Sequence, residues 1–401
     1  MPEGSPVDGA LGLEPRYQRA TALHRGGHLD EAASLYREIL SAEPGHVGAL
    51  HLLGVVEAQR GHYVEASTLI EQAISIDAGM AAAHANLGNV WIALGSLGKA
   101  LASYDRALTL QPDDRQSLMG TGKAYRLLGQ YTDALDAYDA ALRVNPTCSE
   151  SLMCRGDILL EMGRTADGVA SLRRAVDCGA DAEAIGFVLA SIGMGSSPSQ
   201  APAGYLRDLF DGYADRFDAA LVDGLSYRTP ELLTQLVLRE PPRSLLDVLD
   251  LGCGTGLCGP LLRPLARRLI GIDLSPAMIA KSRERGVYDE LECAELTEFL
   301  SQRHADLDLI VAADVLVYVG DLAPVFSGVR RALRSGGRFV FSVEAGGEQD
   351  VELATTRRYR HSRPYLERVA ADSGFDVCRI ETGILRTNDG SDVEGLLALL
   401  A

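Results

Sequence analysis

The chain of 401 residues is long enough for two or three domains, and 47% hydrophobic with 23% charged residues is ordinary for a globular protein. A formal net charge of −17 argues against nucleic acid as a partner, because phosphate contacts require a basic surface. Neither a signal peptide nor an apolar run of about 18 residues is present, so we expect no membrane span and a cytoplasmic location.

No periodic pattern covers residues 1–12, which we expect to be disordered. From Leu13 onward the chain repeats with a period of 34 residues through five segments. Small residues recur at the eighth and twentieth positions of each segment, and large ones such as Tyr36 and Tyr104 recur at the twenty-fourth in most of them. The fifteenth position is glycine every time, at Gly27, Gly61, Gly95, Gly129 and Gly163.

Small residues at these positions let the two helices of a hairpin cross closely, and the pattern resembles the tetratricopeptide repeat. The resemblance implies an α-solenoid over residues 13–193, whose last helix, 181–192, caps the stack. It also implies a groove that binds a protein or peptide partner. The sixth repeat position carries no asparagine ladder, so the kind of partner stays open. Residues 194–203 are rich in glycine, serine and proline and predict a linker.

After residue 244, short apolar runs alternate with helical stretches, which predicts a parallel sheet covered on both faces. Ligands bind such a sheet beyond the carboxyl ends of its strands. The predicted strands are Leu245–Leu251, Leu269–Ile272, Leu307–Ala312 and Arg338–Val343.

The first of these strands runs into a glycine-rich turn, Asp250-Leu-Gly252-Cys-Gly254-Thr-Gly256. A dinucleotide site would need glycine at position 257, which is leucine. The second strand ends at Asp273, whose carboxylate can accept hydrogen bonds from ribose hydroxyls. This combination resembles the Rossmann-like methyltransferases that use S-adenosylmethionine. The resemblance covers residues 204–401 and implies an α/β domain with a mostly parallel, seven-stranded sheet.

The resemblance also implies which residues contact S-adenosylmethionine. Glu295 stands where the family usually has aspartate, and a helix carboxylate in solvent is the alternative for it. Tyr213 and Phe217 belong to a leading helix that is either core or cofactor contact, and Cys253 is either a contact or a small buried thiol. The cofactor-binding candidates are Asp250, Gly252, Cys253, Gly254, Gly256, Asp273, Leu274, Glu295, Leu296, Ala313, Tyr213 and Phe217.

Methyl transfer from a sulfonium needs no obligatory base, so catalytic residues are hard to assign from the sequence. His361 is the best candidate base, because imidazole titrates near neutral pH. Asp306, Asp308 and Asp314 are scattered by strand alternation, so we predict no metal site. The run of Arg357, Arg358 and Arg360 is interpreted as a solvated helix face.

The leading hypothesis is a methyltransferase whose tetratricopeptide array recruits a protein or peptide that carries, or lies beside, the methyl acceptor. The alternative is an interaction scaffold whose methyltransferase-like half is degenerate and non-catalytic. A third interpretation makes the acceptor a small metabolite and leaves the array to assembly. The sequence does not distinguish oxygen, nitrogen and carbon as the methylated atom.

Overall fold

The computed structural model of the protein describes residues 12–214, 217–218, 221, 225–239, 244–388 and 391–401. The chain divides into two compact units, Met1–Ala180 and Asp181–Ala401. Residues 1–11, which carry most of the predicted disordered segment, lie outside the described part. Within the described part, no helix combines the length and apolar character that crossing a bilayer would need.

The first unit is built from antiparallel helix pairs that follow the 34-residue period of the sequence. The first helix of each pair ends just before the recurring glycine. This glycine has a φ between +70° and +81°, in the left-handed region, where glycine carries no steric penalty. The pairs are α1 (Leu13–Arg25) and α2 (Leu29–Ala42), α3 (Val47–Gln59) and α4 (Tyr63–Ile76), α5 (Ala81–Ala93) and α6 (Leu97–Leu110), α7 (Arg115–Leu127) and α8 (Tyr131–Val144), and α9 (Ser149–Glu161) and α10 (Thr165–Asp177).

Close helix crossings in this unit depend on glycine lying against a large side chain. Tyr104 of α6 is fully buried, and its hydroxyl donates to Oδ1 of Asn89 at 2.6 Å. A Cβ added at Gly88 would lie 2.5 Å from the Tyr104 ring, and one at Gly120 of the next repeat would lie closer still. The predicted alternation of small and large positions is therefore a packing requirement.

The second unit is an α/β domain with helices on both faces of one sheet. Its helices are α11 (Ala182–Ser191), α12 (Ala203–Asp211), α13 (Thr229–Leu238), α14 (Gly259–Leu262), α15 (Pro276–Glu284), α16 (Leu296–Ser301), α17 (Ala323–Ala332) and α18 (Arg363–Asp372). Its strands are β1 (Leu246–Leu251), β2 (Ala266–Asp273), β3 (Glu290–Cys293), β4 (Leu307–Ala312), β5 (Leu333–Ala345), β6 (Val351–Leu353), β7 (Tyr359–His361), β8 (Val377–Asn388) and β9 (Ser391–Leu400).

The central strands β3, β2, β1, β4 and β5 are parallel and adjacent in that order. On the other side of β5 lies β9, which is antiparallel to both β5 and β8. The described sheet has nine strands rather than the predicted seven. The two additional strands have three residues each: β7 pairs beside the carboxyl end of β5, and β6 pairs with β7. Alternation along β1 places Val248 in one core and Leu249 and Leu251 in the other.

Helix α11, predicted as the cap of the array, belongs to the second unit. Phe187 is 1% exposed, and its ring lies 5.2 Å from that of Tyr205 and 6.1 Å from that of Tyr359. The segment 194–203 is also tied to this unit, because the Ala201 N–H donates to the carbonyl of Tyr318 at 2.8 Å. These contacts make α11 a packed element of the α/β unit.

We expect Gly88→Ala to lower the melting temperature of the protein, because overpacking a filled core costs about 1–3 kcal/mol and outweighs the helix propensity gained with alanine. Gly98→Ala is the matched control, since a Cβ at this helical glycine would meet no atom within 4 Å. Thermal unfolding of both variants checks this. Equal melting temperatures for the two would contradict the packing argument.

A fragment of residues 181–401 should unfold at a higher temperature than a fragment of residues 194–401. Removal of the buried Phe187 ring leaves a cavity, and Phe→Ala changes in cores cost about 3–5 kcal/mol. In the full chain, Phe187→Ala should destabilise the α/β unit, and Met194→Ala, at a side chain that is 44% exposed, should not. Equal stability of the two fragments would show that α11 contributes nothing to this unit.

Candidate functional site

The glycine-rich turn leaves β1 through three residues with positive φ: Gly252 at +74°, Gly254 at +54° and Gly256 at +87°. A Cβ at Gly252 would lie 2.5 Å from Val315, and one at Gly256 would lie 2.7 Å from Ser282 Oγ. At Gly254 the nearest atom to an added Cβ belongs to Phe217, at 3.7 Å. The turn therefore has a side-chain-free surface that other residues cannot reproduce.

Asp273 ends β2 beside this turn. The Gly254 N–H donates to its Oδ2 at 2.9 Å, and the Ser275 N–H donates to its Oδ1 at 2.9 Å. Burial raises the pKa of Asp273, and the backbone N–H donors of Ser275 and Gly254 oppose that shift. The two N–H groups fix the carboxylate at the carboxyl edge of the sheet, facing the turn.

Two cavities open beside Asp273, and both are walled by Phe210, Gly252, Asp273, Val315 and Tyr318. The larger cavity has a volume of about 240 Å³ and the smaller about 70 Å³. Of the sequence candidates, the larger cavity brings together Tyr213, Phe217, Gly252, Cys253, Gly254, Asp273 and Ala313. The smaller cavity brings together Gly252, Asp273, Leu274, Glu295 and Leu296.

Asp250 and Gly256 are not in the lining of either cavity. Asp250 is 1% exposed; the Tyr288 hydroxyl donates to its Oδ2 at 2.6 Å, and its Oδ1 has no hydrogen-bond partner among the described residues. Burial raises the pKa of Asp250 to about 7. This carboxyl group is therefore a buried hydrogen-bond partner of Tyr288 and not part of either cavity wall.

Glu295 lines the smaller cavity and also caps α16. Its Oε2 accepts the Glu298 N–H at 2.8 Å and the Thr297 hydroxyl. The side chain is half-buried rather than in solvent. Capping of α16 accounts for the position of this carboxylate without a ligand. The glutamate that replaces the usual aspartate therefore has a capping role that the sequence did not reveal.

The described part of the leading segment, residues 203–214 and 217–218, is held beside the turn and the start of α15 by two carboxylates. Oδ1 of Asp211, at the end of α12, accepts the Ser275 hydroxyl and the Ala277 N–H, the latter at 3.2 Å. Asp218 accepts from the Thr255 hydroxyl and the Arg285 guanidinium. Neither aspartate was predicted from the sequence, although two acidic residues at the ends of an aromatic-rich segment were a signal for them.

Aromatic rings of the leading segment cover the larger cavity. The Tyr213 and Phe217 rings lie 5.8 Å apart, and Phe210 meets the Tyr318 ring edge-on at 5.5 Å. Edge-to-face contacts of this kind stabilise a fixed arrangement of rings. The cavity is therefore apolar on the side away from the sheet.

A charged cluster lies at the larger cavity, after β4 and β5. Asp314 has an unusual φ of +53°, its N–H and Oδ1 both bond to the Ser342 hydroxyl at 2.9 Å, and Arg386 donates to its Oδ2 at 3.3 Å. Arg386 also donates to Oε1 of Glu344, which accepts from Arg358 at 3.3 Å as well. The residues of this cluster that line the cavity are Asp314, Arg358 and Arg386.

The helix-face interpretation of the Arg357–Arg360 run is wrong. Residues 359–361 form strand β7, and residue 358 is the last of the loop before it. The loop carries Arg358 to the cavity, a result that a charge pattern alone does not reveal. Arg386 was missed because β8 lies at the far end of the chain and had no recognisable pattern.

His361 does not reach either cavity. It is fully buried, its Nε2 donates to the Gly320 carbonyl at 3.2 Å, and its ring stacks on Tyr365 with centroids 5.7 Å apart. Burial lowers the pKa of His361 to about 4. A neutral, enclosed imidazole in this position gives the predicted role as a base no structural support.

In the first unit, Glu57, His62 and Glu65 lie close enough together to suggest a metal site. Glu57 is fully buried, and its carboxylate accepts from Arg37 at 2.8 Å, from Arg60 at 3.0 Å and from His62 at 2.6 Å. Two guanidinium groups already neutralise Glu57. We therefore assign this cluster a structural role as a buried ion-pair network.

Family models agree with this division of the chain. A model described as a methyltransferase domain matches residues 249–341, and two models described as tetratricopeptide repeats match residues 17–81 and 119–183, and 57–120. The protein therefore carries a tetratricopeptide repeat region followed by a Rossmann-like methyltransferase domain.

Curated proteins to which part of the chain is similar include methyltransferases. A probable S-adenosylmethionine-dependent methyltransferase of Mycolicibacterium smegmatis is 36% identical over 96 residues, which is 24% of this chain and 37% of that protein. A malonyl-[acyl-carrier protein] O-methyltransferase of Hamiltonella defensa is 31% identical over 121 residues, which is 30% of this chain and 46% of that protein. The chain thus spans less than half the length of both relatives.

Among solved structures, an S-adenosylmethionine-dependent methyltransferase from Mesorhizobium loti matches with a TM-score of 0.34 and 24% sequence identity. The match covers 41% of this chain and 95% of that one.

Asp250→Asn should stabilise the protein increasingly as the pH rises from 5 to 8. Because the pKa of Asp250 is raised to about 7, the folded state binds more protons than the unfolded state between about pH 4 and 7, so the wild type loses stability as the pH rises through that window. Asparagine does not titrate and avoids this loss. Thermal unfolding across the pH range measures the difference.

Asp247→Asn is the matched control on the same strand, because hydrogen bonds from Arg267 lower the pKa of Asp247. Its carboxylate stabilises the fold at neutral pH, so the change should be destabilising there. If the difference in stability between wild type and Asp250→Asn did not vary with pH, the argument that burial raises the pKa of Asp250 would be contradicted.

Proposed function

We propose that this protein is an S-adenosylmethionine-dependent methyltransferase that works in the cytosol, with a helical array that recruits a protein or peptide partner. The observation that carries the proposal is the Asp273 carboxylate, held by the Gly254 and Ser275 N–H groups in the wall between two cavities. No disulfide joins any two of the seven cysteines, all of which lie in the described part of the chain, and this fits a reducing compartment.

The residues of the site fit the parts of this cofactor. The side-chain-free surface of Gly252 and Gly254 suits its amino-acid portion, because both glycines line the larger cavity and present backbone there. Asp273 suits the ribose hydroxyls, since a carboxylate oxygen accepts more than one hydrogen bond. The smaller cavity, with Leu274 and Leu296 in its lining, suits the adenine ring. Glu295, which already caps α16, should contribute less than Asp273.

When bound, S-adenosylmethionine supplies a methyl group on a positively charged sulfur that a nucleophile can displace. The contribution of the protein is to orient the two reactants and to exclude water. Phe210, Tyr213 and Phe217 provide the apolar cover for this purpose. Ala313 and Val315, directly after β4, line the larger cavity, and we assign that cavity to the acceptor and the transferred methyl.

The described lining of the larger cavity includes no histidine and no lysine. Burial raises the pKa of the Tyr227 and Tyr318 hydroxyls and of the Cys253 and Cys258 thiols, so these groups stay protonated at neutral pH. A base in this position is not required for methyl transfer to a group that is already nucleophilic. We infer that the acceptor enters in its reactive protonation state.

A cavity in the array supports the recruitment role. A cavity of about 510 Å³ is lined by first helices of three successive repeats, with Asn89 from α5, Arg115 and Lys123 from α7 and Glu150 from α9. Side chains from separate repeats converge on one surface, and solenoid proteins bind extended partners on surfaces of this kind. The intact glycine turn and Asp273 count against the alternative, a scaffold with a degenerate second unit.

Calorimetric titration with S-adenosylhomocysteine tests the enzyme half of this proposal. We expect Asp273→Ala to weaken binding by at least ten-fold, because hydrogen bonds to charged groups contribute about 1.5–3 kcal/mol each. Glu292→Gln, at an exposed carboxylate on neighbouring β3, is the control and should bind as the wild type does. Asp273→Asn keeps one oxygen acceptor, so its affinity for S-adenosylhomocysteine should lie between those of Asp273→Ala and the wild type.

Thermal unfolding must show that each variant is folded at the temperature of the titration. A folded wild type that does not bind S-adenosylhomocysteine, or an Asp273→Ala variant that binds it normally, would favour the scaffold alternative.

A further inference from the structure

The charged cluster in the larger cavity is the basis of a further inference, about the methyl acceptor. Three guanidinium groups, those of Arg358, Arg360 and Arg386, surround Glu344 and Asp314. Of these residues only Asp314, Arg358 and Arg386 line the cavity, where Asp273 also lies. Two guanidinium groups therefore reach a cavity whose walls are otherwise largely apolar.

Arg386 has a structural role, because both of its terminal nitrogens bond to carboxylates of the protein. It is 6% exposed, and its two terminal nitrogens donate to two different carboxylates, those of Asp314 and Glu344. These bonds connect β8 to β5 and to the segment that follows β4. Neutralised on both sides, this guanidinium serves to hold the two carboxylates in place.

Arg358 is placed differently. It donates to Oε1 of Glu344 at 3.3 Å, and Arg386 uses the same oxygen. Its guanidinium lies 5.6 Å from the centre of the Tyr318 ring, a residue of the cavity wall. The Arg358 side chain is 25% exposed although it lies among buried residues, and it lines the larger cavity. A guanidinium has five N–H donors in a planar fork, and a single long hydrogen bond uses only one of them.

We propose that the methyl acceptor carries a carboxylate and that Arg358 binds this carboxylate in the larger cavity. The proposal rests on the proposed function and names the class of its substrate. A guanidinium matches a carboxylate with two parallel hydrogen bonds. The remaining walls, among them Leu209, Leu257 and Met278, fit an apolar body attached to the carboxylate.

Arg358 acts here as a specificity residue that fixes the orientation of the acceptor. It lies in the loop between β6 and β7, at the carboxyl edge of the sheet. In open parallel sheets this edge is where ligands bind. The same edge carries Asp273, so the cofactor carboxylate and the acceptor arginine belong to one cavity.

Direct binding of small carboxylates to the full-length protein tests the proposal. The probes are hexanoate and phenylacetate, each compared with its neutral amide by calorimetry, with and without S-adenosylhomocysteine. We expect the wild type to bind each carboxylate at least about ten-fold more tightly than its amide, because the amide loses the charge-assisted pair. Phenyl phosphate, a dianion of similar body, should bind more weakly than phenylacetate.

Arg358→Gln should abolish the preference for the carboxylate while its affinity for S-adenosylhomocysteine stays that of the wild type. Arg358→Lys should restore part of the preference, which a merely structural role would not explain. Arg360→Gln is the matched control: it removes the same charge from a side chain 3.8 Å from Glu344 Oε2 that does not line the cavity, so the preference should persist.

Three results would overturn the proposal: equal binding of acid and amide by the wild type, no carboxylate binding at millimolar concentrations, or an unchanged preference in folded Arg358→Gln. Tighter binding of phenyl phosphate would replace the carboxylate with a phosphate ester. Because the probes are also titrated without S-adenosylhomocysteine, failure of that cofactor product to bind would count against the proposed function and leave the carboxylate result to stand by itself.

Discussion

The second unit depends on one backbone constraint, the approach of the β1 turn to the carboxylate that ends β2. The Gly254 N–H can reach Asp273 Oδ2 at 2.9 Å only because the turn passes through three left-handed residues, where a side chain would be strained. The parallel pairing of β1 with β2 sets the two strand ends side by side. The walls of both cavities, and the segment that covers them, are arranged around this contact.

The first unit meets the same physical requirement in a helical setting. At Gly88 and Gly120 the absent Cβ makes room for the Tyr104 ring, so neighbouring helices come close without a void. Both units therefore use glycine to bring backbone close to another group, in one case to bury apolar area and in the other to leave a surface open. This shared device explains why glycine positions were the strongest signals in the sequence.

Features that repeat, or that obey a fixed spacing, could be predicted from the sequence. The helix boundaries of the array follow from the glycine register, and the turn and Asp273 follow from strand ends and glycine spacing. By contrast, β3 is four residues long and mostly exposed, and β6 and β7 have three residues each, so they have no hydrophobic period to detect. Asp211 and Asp218 act through contacts with residues more than 35 positions away, which local patterns do not encode.

The difference between His361 and Arg358 shows how strand register decides function at this edge of the sheet. Successive side chains of a strand point to opposite faces, so Tyr359 and His361 share one face and Arg360 lies on the other, in step with Arg358. Tyr359 and His361 are buried, while Arg358 and Arg360 both approach Glu344. The histidine was the attractive candidate because its chemistry suits a base, yet its register puts it in the core. The same register brings a permanent cation to the cavity, and a permanent cation favours an acceptor that arrives as an anion. Burial raises the pKa of the Tyr227 and Tyr318 hydroxyls and of the Cys253 and Cys258 thiols, so these groups stay protonated at neutral pH. An acceptor that arrives as an anion would not depend on them for activation.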